Sequence, residues 1–245
     1  MFPGFEAVLS SVRSRSQLAQ RAGIQRSTIY RAVEGGSDVR MRTLQELAFA
    51  AGLELRLTLV PLSDSCAADA ARVMVDQLEL PRGKAREIEA WIDRLERYVG
   101  DGSVEDLLIE AGNASSLLSR EGAIGMVGPF SVDRLASAGY SSGADWALSG
   151  SAALDALGAQ APDAGPQVLW TPFPRTMFQL LADTGAGERE LGDADLIICE
   201  PTELTLKNAT TIDGIRLVAP MQSMIDCYGL GDLTRSAARQ IVRTW

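Results

Sequence analysis

Residues 15–34 read RSQLAQRAGIQRSTIYRAVE, and this stretch predicts two short helices joined by a tight turn. Gly23 can adopt the positive φ that such a turn needs, and Ala19 is small at the point where the helices would cross. Ile29 and Val33 lie four residues apart and form an apolar stripe on the second helix. The remaining inward-facing residues are Leu18, Ala22 and Ile24. The pattern therefore predicts a compact helix pair with its polar residues outside.

Further elements flank this pair. Residues 4–13 predict a short preceding helix, and residues 44–51 predict a following one that ends at Gly52. The apolar residues with which the later helix would cover the pair are Leu44, Leu47 and Ala48. Residues 53–60, LELRLTLV, alternate between apolar and polar with a period of two. This alternation predicts a half-buried strand that ends at Pro61.

Two short helices around a glycine turn are typical of a helix-turn-helix. Residues 12–60 resemble the Cro/repressor-like (XRE-type) helix-turn-helix family. The match consists of a small residue, a glycine turn, isoleucine, a polar start to the second helix, Glu-Gly, and a Thr-Leu-x-x-Leu-Ala helix that ends in Gly-Leu. The resemblance implies that the second helix, from Gln25, enters the major groove of double-stranded DNA.

The resemblance also assigns DNA contacts to particular side chains. The outward-facing residues that would reach base edges or phosphates are Gln25, Arg26, Ser27, Thr28 and Arg31. Gln17, at the start of the first helix, would hold a phosphate, because helix N-termini attract anions. Arg40 and Arg42 would flank the groove as further phosphate contacts. Tyr30 has two alternative placements, facing the DNA or packed against the first helix, and packing is the preferred one.

Charge is distributed unevenly along the 245 residues. The chain has 23 basic and 32 acidic residues, a net charge of −9. Residues 1–62 hold eight Arg, no Lys and five acidic residues, which gives 8 − 5 = +3, so the rest carries −12. The positive charge of residues 1–62 favours a polyanionic partner for this part of the chain, whereas the negative charge of the remaining residues does not.

Composition excludes several classes of site and protein. The chain has no His, which excludes Ser-His-Asp triads, Cys-His pairs and Cys₂His₂ zinc sites. The three cysteines, Cys66, Cys199 and Cys227, are far apart and fit a reduced cytosol. The longest uncharged run is eleven residues, whereas a membrane span needs about 20 apolar residues. No signal-peptide pattern is present at the start. We expect a cytoplasmic protein without a metal or cofactor.

The pattern predicts an α+β fold in three parts. These are a helix-turn-helix DNA-binding domain over 1–62, a helical connecting and dimerisation segment over 63–125, and a mixed α/β domain over 126–245. Helices are predicted over 67–80, 84–99, 103–111, 114–121, 131–138, 150–158, 174–183, 220–229 and 232–243. Residues 122–130 predict a loop. Strands are predicted over 145–149, 167–171, 194–199, 202–206 and 215–219.

A homodimer is expected, because one helix-turn-helix spans few base pairs. Specific binding usually needs two copies about 34 Å apart on the DNA. Two segments are candidates for the contact between copies. The first is the apolar stripe of helix 84–99, which could instead face the core. The second is strand 53–60, as an edge that pairs across two subunits.

Two motifs in the last part resemble the AbiEi-like antitoxins, the regulators of type IV toxin–antitoxin systems. Ser149 to Leu154 match a Ser-Gly-x-x-Ala-Leu helix start, and Val218 to Asp226 match Val-Ala-Pro-x-Gln-x-x-x-Asp. The resemblance covers residues 140–245. Many members begin with a winged helix, whereas this chain begins with a Cro-like motif. The resemblance implies a repressor of its own promoter, paired with a nucleotidyltransferase-type toxin that it counters without a stable complex.

Three other functions stay open at this point. Gly150-Ser151 after a strand, with Asp193 and Asp195, would suit a nucleotidyltransferase with a DNA-binding head, although the carboxylates lie over forty residues from Ser151. A two-carboxylate-plus-lysine nuclease would use Asp195, Glu200, Glu203 and Lys207. A ligand-responsive repressor would use a pocket lined by Trp146, Trp170, Phe173 and Phe178, although core positions suit these aromatic residues better.

Overall fold

The structure is a computed structural model that describes residues 8, 10, 14–33, 39–159, 165–182 and 186–245, without the side chains of residues 31–33. The chain divides into two compact units, Met1–Leu59 and Val60–Trp245. The α+β class predicted from the sequence is confirmed. Val8 and Ser10 are helical, and the rest of the predicted helix over 4–13 lies outside the described residues.

Three helices of the first unit lie entirely within the described residues: α1 (Arg15–Arg21), α2 (Arg26–Val33) and α3 (Met41–Ala50). The N-cap of α1 is Ser14, whose hydroxyl accepts a hydrogen bond from the Gln17 amide at 3.2 Å. Gly23 has φ +64° in the turn between α1 and α2, as the pattern predicted.

The core of the first unit is apolar and matches the predicted inward positions. Leu18, Ile29 and Leu47 are almost completely buried, and small alanines fill the space between the helices. These alanines are Ala19, Ala22 and Ala50. Ile24 and Leu44 pack against this core from its edge. The side chain of Val33 lies outside the description.

Residues 53–60 do not form the predicted strand. No residue of this segment pairs with a strand in the described part of the chain, and Leu57 and Leu59 are 63% and 99% exposed. Alternation specifies two faces of an extended segment, but a strand also needs a neighbouring backbone to bond with. The segment has the sequence of a strand without a partner.

The second unit begins with three helices: α4 (Ser65–Asp76), α5 (Ala85–Val99) and α6 (Val104–Ala114). Ser103 and Asp106 form a reciprocal capping box at the start of α6. The apolar stripe of α5 is buried within this unit, with Ile88 and Leu95 at 0% exposure and Trp91 at 5%. Of the two alternatives for this stripe, the structure shows the one in which it faces the core, and the unit's own core covers the candidate dimer contact.

The described strands of the second unit form one mixed sheet in the order β4-β1-β5-β3-β2-β7-β6. Their bounds are β1 Ile124–Val127, β2 Ala147–Gly150, β3 Gln167–Trp170, β4 Gly187–Arg189, β5 Leu196–Cys199, β6 Thr210–Ile212 and β7 Ile215–Leu217. The β3–β5 and β2–β7 pairs are parallel, and the other four neighbouring pairs are antiparallel. The remaining helices are α7 Val132–Ser141, α8 Ser151–Ala156, α9 Pro174–Ala182, α10 Pro220–Gly229 and α11 Asp232–Val242.

The helical segment predicted over 63–125 shares a core with the last part of the chain. Its helices α4, α5 and α6 bury residues in the same cluster as α10 and α11. Helices α6 and α10 approach closely at Gly112, where a Cβ would lie 2.6 Å from the Cβ of Tyr228. The segment therefore belongs to the second compact unit.

Three local predictions for the second unit are corrected. Residues 122–130, predicted as a loop, contain β1. Residues 202–206, predicted as a strand, lie in a region of turns. There the backbone amide and the hydroxyl of Thr202 both hydrogen-bond to the Thr205 hydroxyl. The helix predicted over 114–121 is one 3₁₀ turn, Leu117–Ser119. The two short strands β4 and β6 were not predicted.

Candidate nucleic-acid interface

The outward surface of α1 and α2 carries the candidate DNA contacts. Gln25, Arg26 and Ser27 are exposed around the start of α2, while Thr28 is half-buried. Arg31 lies in the same helix, but its side chain is outside the description. Because Ile29 is buried on the opposite side, the apolar and polar faces of α2 are separated as a groove-binding helix requires.

The other predicted contacts are also at the surface. Gln17, Arg40 and Arg42 are all exposed. The backbone amide of Gln17 donates a hydrogen bond to the Ser14 hydroxyl, so this amide is not available to a phosphate. Gln17 therefore retains only its side chain for such a contact. Arg40 occupies the N-cap position of α3 without making a side-chain cap, which leaves its guanidinium in solvent.

A cluster of Tyr30 with two arginines was not predicted. The Arg26 guanidinium donates a hydrogen bond to the Tyr30 hydroxyl at 3.0 Å and lies 5.5 Å from the centre of its ring. The Arg15 guanidinium lies 5.1 Å from the same ring. The hydrogen bond from Arg26, together with its positive charge, lowers the pKa of Tyr30. The ring therefore positions two cations at the junction of α1 and α2.

A sequence signal for this cluster existed in part. Arg26 and Tyr30 are four residues apart, so a helix places them on neighbouring positions of one face. Tyr30 was expected to pack against α1, and its contact with Arg15 agrees with that. Arg15 was missed because its position beside Tyr30 depends on the angle at which the two helices cross.

Among the described residues of the first unit, the exposed charge is mainly positive. Arg15, Arg21, Arg26, Arg40 and Arg42 are exposed, and the described acidic residues are Glu46 and Glu54. Glu54 forms an ion pair with Arg56 at 2.8 Å, and the positive charge of Arg56 balances the negative charge of Glu54. An excess of exposed guanidinium groups on a small unit suits phosphate contacts, since Arg binds phosphate in a planar, bidentate manner.

The residues of the nucleotidyltransferase hypothesis are only partly brought together. Ser151 and Asp195 line one cavity of about 580 Å³, with Gln167 between their strands. Asp195 accepts a hydrogen bond from the Gly128 amide at 2.9 Å. Asp193 lies in a short 3₁₀ turn and is not among the lining residues. Asp195 is the single carboxylate among the described residues of the lining, whereas two-metal chemistry needs a carboxylate pair.

The aromatic residues of the ligand-pocket hypothesis do not surround one cavity. Trp146 and Trp170 are buried in different apolar clusters of the second unit. Phe173 is 59% exposed, while Phe178 packs at the edge of the cluster that contains Trp146. The hypothesis of an aromatic-lined pocket is therefore wrong, because two of its residues are core.

The second unit buries a polar network that links three of its elements. Trp170 and Gln222 donate side-chain hydrogen bonds to the two carboxylate oxygens of Asp226, at 2.9 and 2.8 Å. Arg72, which is completely buried, donates to the Gln222 side-chain oxygen at 3.2 Å and to the Lys207 carbonyl at 3.0 Å. Burial raises the pKa of Asp226, although the hydrogen bonds it accepts act against this. These groups point inward and hold the unit together.

A second carboxyl, Asp69, is buried at the wall of another cavity. The Thr202 hydroxyl donates to it at 2.6 Å, and Lys84 lines the same cavity of about 430 Å³. Burial raises the pKa of Asp69, and the bond from Thr202 partly opposes this effect. In the part of the chain that the structure describes, no group of three or more Cys, Asp or Glu side chains is placed to hold a metal ion.

Comparisons with known proteins add no assignment. The chain matches no family model, no curated protein and no solved structure. Of the helices described, none is long and apolar enough to cross a membrane.

Proposed function

We propose that the protein binds double-stranded DNA sequence-specifically, with α2 in the major groove. The observation that carries the proposal is the division of α2 into a buried side and an exposed polar side at its first turn. Ile29 has no exposed surface, whereas Gln25, Arg26 and Ser27 are open to solvent. Residues at the N-terminal end of a recognition helix are the ones that reach base edges.

The side chains at this end can read bases in chemically distinct ways. An Arg donates to the two acceptors of guanine, and a Gln both donates to and accepts from adenine. We assign these roles to Arg26 and Gln25. Ser27, Thr28 and Arg31 are further contacts to bases or phosphates in this proposal, and Gln17, Arg40 and Arg42 hold the backbone. Phosphate contacts fix the register, and base contacts give the specificity.

The charge distribution supports the same orientation. The +3 of residues 1–62 attracts the phosphate backbone, and the −12 of the remainder repels it. DNA therefore meets the first unit, and the second unit stays away from the duplex. The assigned contacts involve no catalytic group, metal or cofactor. We therefore propose a non-enzymatic, cytoplasmic regulator.

The test is a gel shift with the DNA upstream of the protein's own coding sequence, followed by dimethyl sulfate protection. We expect a retarded band at low salt. We also expect protected guanine N7 atoms, because this atom lies in the major groove. No retarded band at low salt would contradict DNA binding. A band without N7 protection would contradict the placement of α2 in the major groove.

The finer assignment, a repressor of its own promoter and the antitoxin of a type IV system, rests on the resemblance of residues 140–245. In that arrangement the counterpart is a nucleotidyltransferase-type toxin, countered without a stable complex. Coexpression with a nucleotidyltransferase encoded beside this protein is the test. We expect growth to be restored both by the wild-type chain and by Arg26→Ala, since neutralisation would not need DNA binding. Failure of both proteins to restore growth would remove the antitoxin role and leave the DNA-binding proposal intact.

A further inference from the structure

An exposed apolar segment, residues 53–59, directly follows the helices of the first unit. Leu53, Leu57 and Leu59 are 39%, 63% and 99% exposed, and Leu55 is half-buried. Single exposed apolar residues are ordinary on a protein surface. Four leucines at every second position form a continuous row, and such a row usually marks an interface.

The backbone of this segment is also unpaired. The Leu53 amide closes the end of α3 by donating to the Ala48 carbonyl at 2.8 Å. Beyond it, among the described residues, no backbone group of residues 54–60 hydrogen-bonds to another backbone group. A row of free amides and carbonyls beside alternating leucines is a template for another strand.

We infer that this segment pairs antiparallel with the same segment of a second copy, in a register centred on Leu55. The central leucines would then face each other across a two-fold axis, and Leu53 would face the partner's Leu57. Such a contact is closed and symmetric, because each copy supplies the same surface. The inference rests on exposure, free backbone groups and charge, and does not depend on DNA binding.

Charge selects the second copy and the register. Glu54 and Arg56 share one face of the segment, as their ion pair at 2.8 Å within one chain shows. Centring on Leu55 sets each Glu54 opposite the partner's Arg56, which gives two cross-strand ion pairs. Centring on Arg56 would instead set two like charges directly opposite each other, which is unfavourable. Centring on Leu57 would leave neither charge facing an opposite one.

The test is disulfide cross-linking of the full-length chain. The native cysteines Cys66, Cys199 and Cys227 are buried, so an introduced cysteine would be the accessible thiol. In Leu55→Cys the two thiols would meet at the axis, where opposite Cβ atoms lie about 4.5–5.5 Å apart. We expect rapid formation of a reducible dimer under mild oxidation. Unchanged circular dichroism would show that the variant folds.

The matched control is Leu59→Cys. Leu59 is the more exposed residue, so random collision would cross-link it faster than Leu55→Cys. In the proposed register its two copies would lie eight residues apart along the ribbon, about 27 Å, and we expect little cross-linked product. Equal or faster cross-linking of Leu59→Cys would overturn the inference. Preferential cross-linking of Leu57→Cys would overturn the register.

A charge exchange provides a second readout without an introduced thiol. Glu54→Arg alone would set like charges opposite each other, and we expect the dissociation constant of the dimer to rise several-fold in analytical ultracentrifugation. The double exchange Glu54→Arg/Arg56→Glu should restore it. A wild-type chain that sediments as a monomer would overturn the pairing and leave the segment free for a strand of another protein.

Discussion

The two units of the chain differ in where their charged side chains lie. In the first unit those that the structure describes are exposed, whereas the second unit also buries several of them. In the described part of the first unit, every buried residue is apolar, and the arginines lie in solvent. The second unit buries Arg72, Asp69 and Asp226. Buried charges are tolerated when they are hydrogen-bonded and paired. The described charges of the first unit are therefore accessible at its surface, whereas the second unit uses several of its charges to fix its own structure.

The largest effect is expected from Arg72→Leu. This change would leave the Gln222 oxygen, the Lys207 carbonyl and the Asp76 carboxylate, all bonded to Arg72, without that partner. Breaking a buried charged network costs about 3–5 kcal/mol of unfolding free energy. Urea unfolding would measure the loss, with Arg86→Leu on the exposed face of α5 as the control. A loss similar to that of the control would contradict the internal role of Arg72.

Asp226→Asn should destabilise the second unit by about 1–3 kcal/mol. Trp170 and Gln222 both donate to Asp226, and an amide offers one oxygen where the carboxylate offers two. Ser223→Ala, a neighbouring buried position on α10, is the control for disturbance of the helix. Equal urea midpoints for Asp226→Asn and the wild type would contradict the network.

The same variant gives a pH dependence with a definite sign. Because burial raises the pKa of Asp226 in the folded state, ionisation of this carboxyl disfavours the folded protein. Its contribution to stability is therefore lost as pH rises from the unfolded pKa of about 3.9 towards the raised folded value. The free energy of unfolding of the wild type should exceed that of Asp226→Asn by the largest amount at the acidic end of this pH window. An advantage that grows with pH would contradict the raised pKa.

Arg26→Ala tests the exposed charges of the first unit. Loss of a base contact should weaken binding to upstream DNA by about 1–3 kcal/mol, roughly 5- to 150-fold, and relax specificity at one base position. The melting temperature should stay the same, because Arg26 is exposed. Arg86→Ala in the second unit is the charge-matched control. Equal DNA affinities of the two variants would show that Arg26 is a solvated surface residue and does not contact a base.

Tyr30→Phe should have a smaller effect on DNA affinity. The variant keeps the ring beside Arg15 and Arg26 but loses the hydroxyl that accepts from Arg26. We expect a several-fold loss, since one hydrogen bond that orients a side chain contributes about 1 kcal/mol. Fluorescence anisotropy would measure it. A further loss in Tyr30→Ala would assign the remaining effect to the ring, and wild-type affinity in both variants would show that Tyr30 does not position the arginines.

Arg40→Ala should have the smallest effect. Loss of a phosphate contact weakens binding to all DNA sequences alike, and it lowers the slope of log affinity against log salt concentration by about 1. The measurement is the slope of log affinity against log salt concentration, for upstream and shuffled DNA. An effect confined to the upstream sequence would identify Arg40 as a base contact instead.

The first unit was the more predictable from sequence, for a physical reason. Its fold depends on local signals, such as the positive φ of Gly23 and the spacing of Leu18 and Ile29, which act within a few residues. The cluster of Arg15 with Tyr30 was not found, because it depends on a helix crossing angle. The strand predicted over residues 53–60 was wrong, because alternation defines the two faces of an extended segment but does not supply a neighbouring strand.

The second unit was less predictable, because its contacts join distant parts of the chain. The strong periodicity of α5 was recognised, but periodicity does not show what covers the stripe, which in the structure is the core that α5 shares with α4 and α6. Strands β4 and β6 are three residues long and exposed, so they carry no periodic signal. Asp226 was noted only as the last residue of a motif, and its hydrogen-bond partners Trp170 and Gln222 could be identified only from the fold.

The most direct test of the central claim is an anisotropy titration of the full-length protein with its upstream DNA over a salt series. The claim is that α2 reads DNA while the second unit takes no part in binding. We predict a steep salt dependence, much weaker binding to a shuffled sequence of equal length, and loss of this difference in Arg26→Ala. Equal affinity for both sequences, or binding that does not respond to salt, would contradict the account.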